Sequence, residues 1–558
     1  MRPPPRPGTP GCAPVPRQLA GLWARTRTHE VPRGMIERAA GLRLAGDWRG
    51  ACAAAGVDVA FDLPGAAREY GGAVAAALED DLRHLVPDLL RWHLPWGTYL
   101  DYGDGPFRIR QTLVLASYGG PCLQLRTDAW PRLGLFFGPA PESGPEPARR
   151  VLSDWTGARH LWDARRTAEL LARHGGAGRA PFFEADGAPR APRRLPAADP
   201  GPADPVARAE WIMLLQERGD IAEALQAAGI AFVQEEERRR SWHRSVLDGL
   251  PIALHRLVPE VRAREARGLD GPFRVFQGRQ RFWSLFLEPR PGGTLRARVL
   301  ESGAFGNGHH DLAEPYWSRL PDLDLVRAGR LTPDELHPLV REALFPGRPA
   351  PDGPAGPPPP RPPRTARVRC GDAWHEVSFR NGVLVTHHHT EDERRREVAL
   401  AALGGPVRGC FGVRQSWAPG PGRLLTPFRE QRRALFQRAW HGDTAGLLRM
   451  LDLGHDPHTR DGEGRTLLHV LDRLDPEPVL RRLLDAGLEA DAPDGHGNTP
   501  LAHAVREGAS ETTVRALLAA GADPHVRWHP AAPSQPALPL AELARAPERA
   551  HLAFLAEL

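Results

Sequence analysis

The chain contains 558 residues with a formal net charge of +5, and its 73 basic side chains are all arginine because the sequence holds no lysine. A hydrophobic content of 41% and a charged content of 25% are typical of a globular protein and exclude a collagen, a long coiled coil and a disulfide-rich miniprotein. The absence of lysine also excludes a Walker A nucleotide site and lysine-dependent kinase or pyridoxal chemistry.

Several features of composition indicate the source and the compartment. Lysine, asparagine and isoleucine are scarce while Ala, Gly, Pro and Arg are abundant, which indicates a GC-rich bacterial genome. The N-terminus lacks the apolar stretch of a signal peptide, and no window approaches 18 apolar residues. The cysteines form no CxxC motif, so we expect free thiols in a reducing cytoplasm; they are Cys12, Cys52, Cys122, Cys370 and Cys410.

Shifts in composition along the chain predict a multidomain α+β protein. The Pro-rich and Gly-rich stretches are the expected linkers, because proline cannot donate to helix or sheet hydrogen bonds. We expect a Pro/Arg-rich tail at 1–34, an α+β module at 35–174, a linker at 175–204, a second α+β module at 205–346, a Pro-rich linker at 347–365, a small β/α module at 366–428 and an all-α repeat region at 429–558.

The two α+β modules share ordered sequence blocks, which predicts an internal duplication. The offset between matching blocks shortens only slowly along the chain, as insertions and deletions in loops would produce. In each module, helices at 36–55 or 212–228 precede strands at 107–117 and 123–127, or at 273–288 and 295–300. The matching blocks are Gly46-Asp47 with Gly219-Asp220, Leu85-Val86-Pro87 with Leu257-Val258-Pro259, and Asp104-Gly105-Pro106-Phe107 with Asp270-Gly271-Pro272-Phe273.

The segment 366–428 has the pattern of a small β/α module. Asn381-Gly382 is a strong hairpin signal between two strand-like runs. Thr390 followed by Glu393 predicts a capping box that opens a helix ending near residue 403. A further strand is expected at 409–417, giving a module of β-hairpin, helix and strand.

Two histidine clusters raise the possibility of metal chemistry. His387 and His389 could converge on one face of a strand while His388 points away, but a metal site needs partners that the sequence does not indicate. His309-His310 after Gly308 faintly resembles the signature of HNH-type toxin nucleases. We predict no metal, no cofactor and no catalytic residue, and keep a metal-dependent nuclease as a lesser alternative.

A regular repeat begins near residue 431. Asp461 recurs as Asp494, and Gly454, Gly487 and Gly521 follow one another at almost the same spacing. The copies read Asp461-Gly462-Glu463-Gly464-Arg465-Thr466-Leu467-Leu468-His469 and Asp494-Gly495-His496-Gly497-Asn498-Thr499-Pro500-Leu501. This pattern resembles the ankyrin repeat over about 125 of the 558 residues, with about three repeats and a closing helical unit.

The resemblance implies a helical solenoid that binds a protein through its turn tips and inner helices. Over 431–527 the chain has 12 arginines and 15 acidic residues, a net charge of −3, which argues against nucleic-acid binding. The partner-binding positions that the resemblance implies are Glu463, Arg465, Arg473, His496, Asn498, Arg506 and Glu507.

The sequence therefore predicts a non-enzymatic protein-interaction scaffold that binds a partner protein and neither nucleic acid nor membrane. One alternative is an immunity or antitoxin-like protein that inhibits a toxin, because some bacterial ankyrin proteins are similar to these. The nuclease in the duplicated region is the other alternative. The sequence does not identify the partner or the oligomeric state.

Overall fold

The fold was analysed in a computed structural model of the chain. Two compact units are present, unit 1 (residues 1–358) and unit 2 (residues 359–558), and the division falls inside the predicted Pro-rich linker at 347–365. The structure describes residues 17–94, 99–102, 105–108, 111–127, 132–141, 151–233, 251–275, 283–301, 308–353, 355–370, 372–380, 382–386, 389–403, 409–417, 424–530 and 536–558.

Unit 1 contains two five-stranded sheets and a separate β2–β3 hairpin. The first sheet has the order β1-β6-β5-β4-β7 and the second β12-β9-β10-β11-β8. The strands are β1 (Val57–Val59), β2 (Tyr99–Tyr102), β3 (Gly105–Arg108), β4 (Gln111–Ser117), β5 (Pro121–Arg126), β6 (Leu133–Pro139), β7 (Val151–Asp154), β8 (Ile230–Phe232), β9 (Phe273–Val275), β10 (Trp283–Pro289), β11 (Leu295–Glu301) and β12 (His310–Leu312).

The two sheets of unit 1 have the same topology. In each, three consecutive strands form an antiparallel meander, β4-β5-β6 or β9-β10-β11. A preceding strand pairs in parallel with the last strand of the meander, with Val57 opposite Leu133 in one sheet and Ile230 opposite Leu295 in the other. A following strand, β7 or β12, pairs in parallel with the first strand of the meander.

Helices surround these sheets, and both halves of unit 1 contribute to one hydrophobic core. Trp92, Trp155, Trp162 and Trp317 are among its largest fully buried side chains. The α-helices are Arg17–His29, Arg33–Leu44, Trp48–Ala54, Leu63–Tyr70, Gly72–His84, Pro87–Trp92, Glu169–Arg173, Pro205–Arg218, Ile221–Ala227, Leu254–Glu265, Glu314–Trp317, Pro321–Arg327 and Pro338–Leu344, and the 3-10 helices are Arg159–Leu161, Pro192–Arg194 and Pro333–Glu335.

The helices predicted at 36–55 and 212–228 are each broken in two at a Gly-Asp pair. Gly46 and Gly219 both have φ of +84°, a left-handed conformation that ends a helix. Asp47 then caps the next helix by accepting a hydrogen bond of 2.7 Å from the Gly50 N–H. The apolar periodicity continues through the break, which is why the sequence alone suggested one helix.

Two segments expected to lie outside the modules pack into unit 1. The predicted tail includes the helix Arg17–His29, whose Arg27 is buried in an ion pair with Asp322. The predicted linker at 175–204 places Phe182 and Phe183 in the core. The Phe182 N–H also donates 2.7 Å to the buried carboxylate of Glu210. Burial of Phe182 and Phe183 stabilises the segment predicted as a linker, because it removes their aromatic surface from water.

Unit 2 begins with a three-stranded antiparallel sheet, β13 (Ala366–Cys370), β14 (Ala373–Arg380) and β15 (Val383–Thr386). The predicted hairpin and the helix Glu391–Ala402 are therefore confirmed. The strand predicted at 409–417 is wrong, because Gly409–Trp417 is an α-helix. Its buried residues, Cys410 and Trp417, are seven positions apart, which places them on one helical face.

The rest of unit 2 consists of successive short helices packed around a second hydrophobic core. The α-helices are Thr426–Trp440, Thr444–Asp452, Pro476–Asp485, Pro500–Glu507, Glu511–Ala519 and Leu540–Leu543, with 3-10 helices at Leu467–Arg473 and Pro547–Ala556 and a two-stranded ribbon of β16 (Arg527–Trp528) and β17 (Leu538–Pro539). Among the described residues of both units, no helix is long and apolar enough to cross a membrane.

Candidate protein-binding surface

The turns that precede the paired helices are built by the repeated Asp-Gly-x-Gly sequences. Asp461 Oδ1 accepts hydrogen bonds of 2.9 Å from the backbone N–H groups of Glu463 and Arg465. Asp494 Oδ1 accepts equivalent bonds from His496 and Asn498 at 2.8 and 2.9 Å. The Gly495 N–H donates 2.8 Å to the Glu463 carbonyl, which joins the two turn tips. The aspartates therefore set the shape of the tips. Within these turns, Glu463 and His496 are exposed.

A buried hydrogen-bond network supports the tips from below. Thr466 N–H donates 3.0 Å to His469 Nδ1, and His469 Nε2 lies 3.0 Å from the Asn498 carbonyl oxygen. Because Nδ1 accepts, Nε2 carries the hydrogen and donates to that carbonyl. Burial lowers the pKa of His469 to about 3, which keeps its imidazole neutral.

His469, Asp494 and His503 form one of two groups of described residues whose donor atoms are close enough for a metal ion. His503 Nε2 is 2.8 Å from Asp494 Oδ2, and both ring nitrogens of His469 already bond to backbone or Thr466. Burial would raise the pKa of Asp494, but the His503 hydrogen bond and the turn N–H groups together hold it below its usual value. These contacts indicate a structural network in the repeats.

Five of the seven predicted binding residues lie on the surface. Glu463 and His496 are exposed on adjacent tips, with His496 Nε2 3.9 Å from Glu463 Oε2. On the helices, half-buried Arg473 lies 3.5 Å from the exposed Glu507 carboxylate. The exposed Arg506 guanidinium lies 5.9 Å from the ring centroid of Trp528. We call these five residues the repeat surface.

The other two predicted binding residues are part of the scaffold. Asn498 is 2% exposed; its side-chain amide donates 3.0 Å to the His529 carbonyl and accepts 2.6 Å from the His529 N–H. Arg465 folds back so that its Nε donates 2.7 Å to Asp461 Oδ2. Asn498 is therefore buried and Arg465 half-buried, which their sequence positions in the turns did not indicate.

Sequence reasoning also missed half-buried Trp528, which stands beside the repeat surface at a ring distance of 5.1 Å from His503. Trp528 belongs to the β16–β17 ribbon, which the sequence analysis did not predict. A lone tryptophan near a Pro-rich loop gives no periodic signal, so only the fold places it there.

The second group of metal-competent residues lies in the small β/α module and consists of Cys370, His375, His389 and Cys410. Burial raises the pKa of the Cys410 thiol to about 12. His389 of the predicted histidine cluster belongs to this group, and His387 and His388 lie outside the described residues. The sequence did not pair His389 with these residues because they are spread over 41 positions.

The other candidate cluster, His309 and His310, shows no metal-binding arrangement with the residues that the structure describes. The His309 ring packs edge-on against Phe286, with centroids 5.6 Å apart. His310 packs against Phe273, and its Nε2 lies 3.0 Å from the Asp270 carbonyl. His309 Nε2 also lies 3.7 Å from Asp311 Oδ1.

The helices of the C-terminal part of unit 2 match a known repeat family in sequence. Residues 435–527 match the family model for ankyrin repeats in three copies. The chain is also similar to serine/threonine-protein kinase 12 of Arabidopsis thaliana, with 38% identity over 71 residues, which are 13% of this chain and 16% of the kinase. The chain thus spans about a sixth of the curated relative that it matches. Ankyrin repeats are therefore present at residues 435–527 of this chain.

Proposed function

We propose that the chain binds a partner protein through the repeat surface of Glu463, His496, Arg473, Arg506 and Glu507. The supporting observation is that these side chains reach the surface on successive repeats while buried hydrogen bonds fix the backbone beneath them. A rigid support lowers the entropy lost when a partner docks. Ankyrin repeats are generally protein-interaction modules, which agrees with this role.

The chemistry of the repeat surface favours a partner of mixed charge. Cationic and anionic side chains alternate, and the half-buried Trp528 adds an aromatic face beside Arg506. Arginine and tryptophan are enriched among the residues that dominate binding energy in interfaces. The net charge of −3 over 431–527 disfavours a nucleic-acid ligand.

Affinity capture with the full chain, read by mass spectrometry, tests this proposal. Arg506→Glu should reduce recovery of the partner about tenfold or more, because it reverses a charge at the centre of the surface. Arg481→Glu is the matched control, since Arg481 is exposed on the outer helix Pro476–Asp485 and lies off the repeat surface. Equal capture by the wild type and Arg506→Glu would overturn the proposal. Capture of a toxin would favour the immunity role, whereas nuclease activity in the duplicated region would favour the enzyme alternative.

We further infer that the two halves of unit 1 derive from one duplicated α+β module. The two sheets share strand order and direction. Gly46 and Gly219 share a φ of +84°, and Gly56 and Gly229, which are separated by the same sequence offset, have φ of +67° and +77°. The structures of the two halves, solved as separate fragments, test this inference. Sheets that differ in strand order or direction would contradict the duplication.

We propose a cytoplasmic location and no catalytic role for this chain. Four cysteines among the described residues, Cys52, Cys122, Cys370 and Cys410, are free thiols, which fits a reducing compartment. Cell fractionation of the tagged full chain tests the location. Recovery from an oxidising compartment with paired cysteines would contradict it.

A further inference from the structure

Four potential metal ligands meet in the small β/α module although they come from four different places in the sequence. Cys370 ends β13, His375 lies on β14, His389 follows β15 and Cys410 lies in the first turn of the helix Gly409–Trp417. One donor atom from each residue lies within 4.8 Å of all the others. The fold therefore gathers two thiols and two imidazoles around one point.

The distances are close to those of a tetrahedral site. His375 Nδ1 lies 3.0 Å from His389 Nε2, and Cys410 Sγ lies 3.7 Å from His375 Nδ1. With Zn–S bonds of about 2.3 Å and Zn–N bonds of about 2.0–2.1 Å, tetrahedral ligand atoms are separated by roughly 3.3–3.8 Å. An ion could be accommodated by small movements of these side chains.

A carboxylate behind the cluster orients one of its imidazole ligands toward the other three residues. His389 presents Nε2 to the cluster while its Nδ1 lies 3.6 Å from Glu393 Oε2. Glu393 is itself held by the Thr390 N–H, which donates 2.8 Å to the same carboxylate. A carboxylate behind a ligating imidazole is the common outer partner in zinc sites, because it fixes the ring and raises its basicity.

The two cysteines have a second supporting contact. The Cys410 N–H donates 3.0 Å to Cys370 Sγ, which would stabilise a thiolate there. Gly409, at φ of +60°, allows this approach, because a Cβ at that position would lie 2.3 Å from Cys370 Sγ. The backbone of the turn is therefore shaped around the sulfur.

The module has a small hydrophobic core of its own and also contacts the repeats, where Trp417 Nε1 donates 2.6 Å to Asp456 Oδ2. The core consists of Ala366, Val368, Val377, Leu384, Cys410, Trp417, Leu424 and Phe428. Small modules with such limited cores usually require a metal or disulfides for stability. A four-ligand metal site would join β13, β14, the segment after β15 and the helix Gly409–Trp417.

We propose that Cys370, His375, His389 and Cys410 bind a structural Zn²⁺ ion. Two thiolates and two neutral imidazoles match the preference of zinc, and the two thiol protons leave to solvent on binding. All four positions come from the protein, so no coordination site remains open for a substrate water. This replaces the expectation of no metal, and the role is separate from partner binding.

Elemental analysis of the full chain, purified under reducing conditions without an affinity tag that binds metal, tests the site. About one zinc per chain is expected, and Co²⁺ in its place should give the visible bands of tetrahedral thiolate ligation. Cys370→Ser and His389→Ala should each lose most of the metal. Cys122→Ser and exposed His525→Ala are matched controls that should keep it.

A measurement on the wild type keeps the test decisive if a variant fails to fold. Chelation should make two thiols reactive and lower the melting temperature of unit 2, and added Zn²⁺ should reverse both changes. The proposal is overturned if the reduced wild type binds no zinc or cobalt. Iron in place of zinc, or a Cys370–Cys410 disulfide that takes up no metal after reduction, would overturn it as well.

Discussion

Among the described residues, unit 1 differs from the ankyrin repeats in having a buried ion pair between distant segments of the chain, in addition to local pairs such as Arg256–Glu260. In unit 1, Arg27 and Asp322 are 295 positions apart and 1% and 0% exposed. The corresponding pairs in the ankyrin repeats are local, with Arg438 and Asp443 five positions apart. Long-range contacts must close large loops before they stabilise, whereas local contacts form within one repeat.

This difference explains which region could be interpreted from its sequence. Local contacts repeat with the period of the helices and turns, so each ankyrin repeat carries its own signature. In unit 1, pairs such as Arg27–Asp322 join distant segments, so no local sequence pattern records them. Substitutions and changes of pH can test how strongly each unit depends on the kind of contact that stabilises it.

Acid should separate the two units most clearly. A buried histidine kept neutral has a folded pKa below its unfolded value of about 6.5, so the unfolded chain binds more protons and stability falls as pH drops below about 6.5. Each such histidine contributes up to about 1.4 kcal/mol per pH unit. Burial, the largest cause, lowers the pKa of His93, His160, His174 and His255 in unit 1 and of His455 and His469 in unit 2.

The urea midpoint of unit 1 should therefore fall more than that of unit 2 as the pH is lowered from about 7.5 to about 5. The chain is equilibrated in urea at each pH and then given a hydrogen-exchange pulse at one fixed pH. Mass spectrometry of the labelled peptides measures the unfolding of each unit separately. Equal losses in both units would show that the buried histidines of unit 1 do not control its acid sensitivity.

Asp322→Ala should be the most damaging single substitution among those considered. Asp322 accepts hydrogen bonds from Arg27 and from Trp92 Nε1, at 2.8 Å for the indole. Its removal leaves a buried guanidinium without its carboxylate, at a cost of about 3–5 kcal/mol in unfolding free energy. Denaturant unfolding of the full chain measures this cost.

The matched change in unit 2 is Arg465→Ala. Its carboxylate partner, Asp461, keeps its two turn hydrogen bonds and the arginine side chain is 17% exposed. A loss of about 1 kcal/mol is expected. If Arg465→Ala destabilises as much as Asp322→Ala, the contrast between long-range and local pairs does not hold.

Asn498→Ala should destabilise the repeats by about 2 kcal/mol. The asparagine amide makes two hydrogen bonds to the His529 backbone, which lose their partner on substitution. His496→Ala, two positions away and exposed, should change stability by less than about 0.5 kcal/mol. Thermal unfolding of both variants tests this difference. Equal melting temperatures would contradict a supporting role for the Asn498 side chain.

The smallest expected effect is the difference between two equivalent turn glycines. Gly464 and Gly497 have φ of +78° and +86°, so alanine is strained at both. At Gly464 the new Cβ would also lie 2.9 Å from the Gly495 nitrogen, whereas nothing lies within 4 Å at Gly497. Gly464→Ala should cost about 1 kcal/mol more than Gly497→Ala in denaturant unfolding, unless the turn tips can move apart freely.

The ankyrin repeats were the most predictable part of the fold. Their glycines, capping threonines and paired leucines recur with one regular period, and the family match covers 435–527. The hairpin before His387 and the helix after Thr390 were also confirmed, because each depends on a local turn or cap. The surface was less predictable, since Asn498 and Glu463 share the same kind of turn but only Glu463 is exposed.

The amino-acid sequence alone predicted the repeats, their Asp-Gly-x-Gly turns and the absence of lysine-dependent catalysis. These features depend only on residue identity and short spacing. Tertiary structure decided that Gly409–Trp417 is a helix and that Phe182 belongs to the core. It also brought Cys370 and Cys410 together although they are distant along the chain. Such contacts form only when separate strands and helices pack, so no local pattern records them.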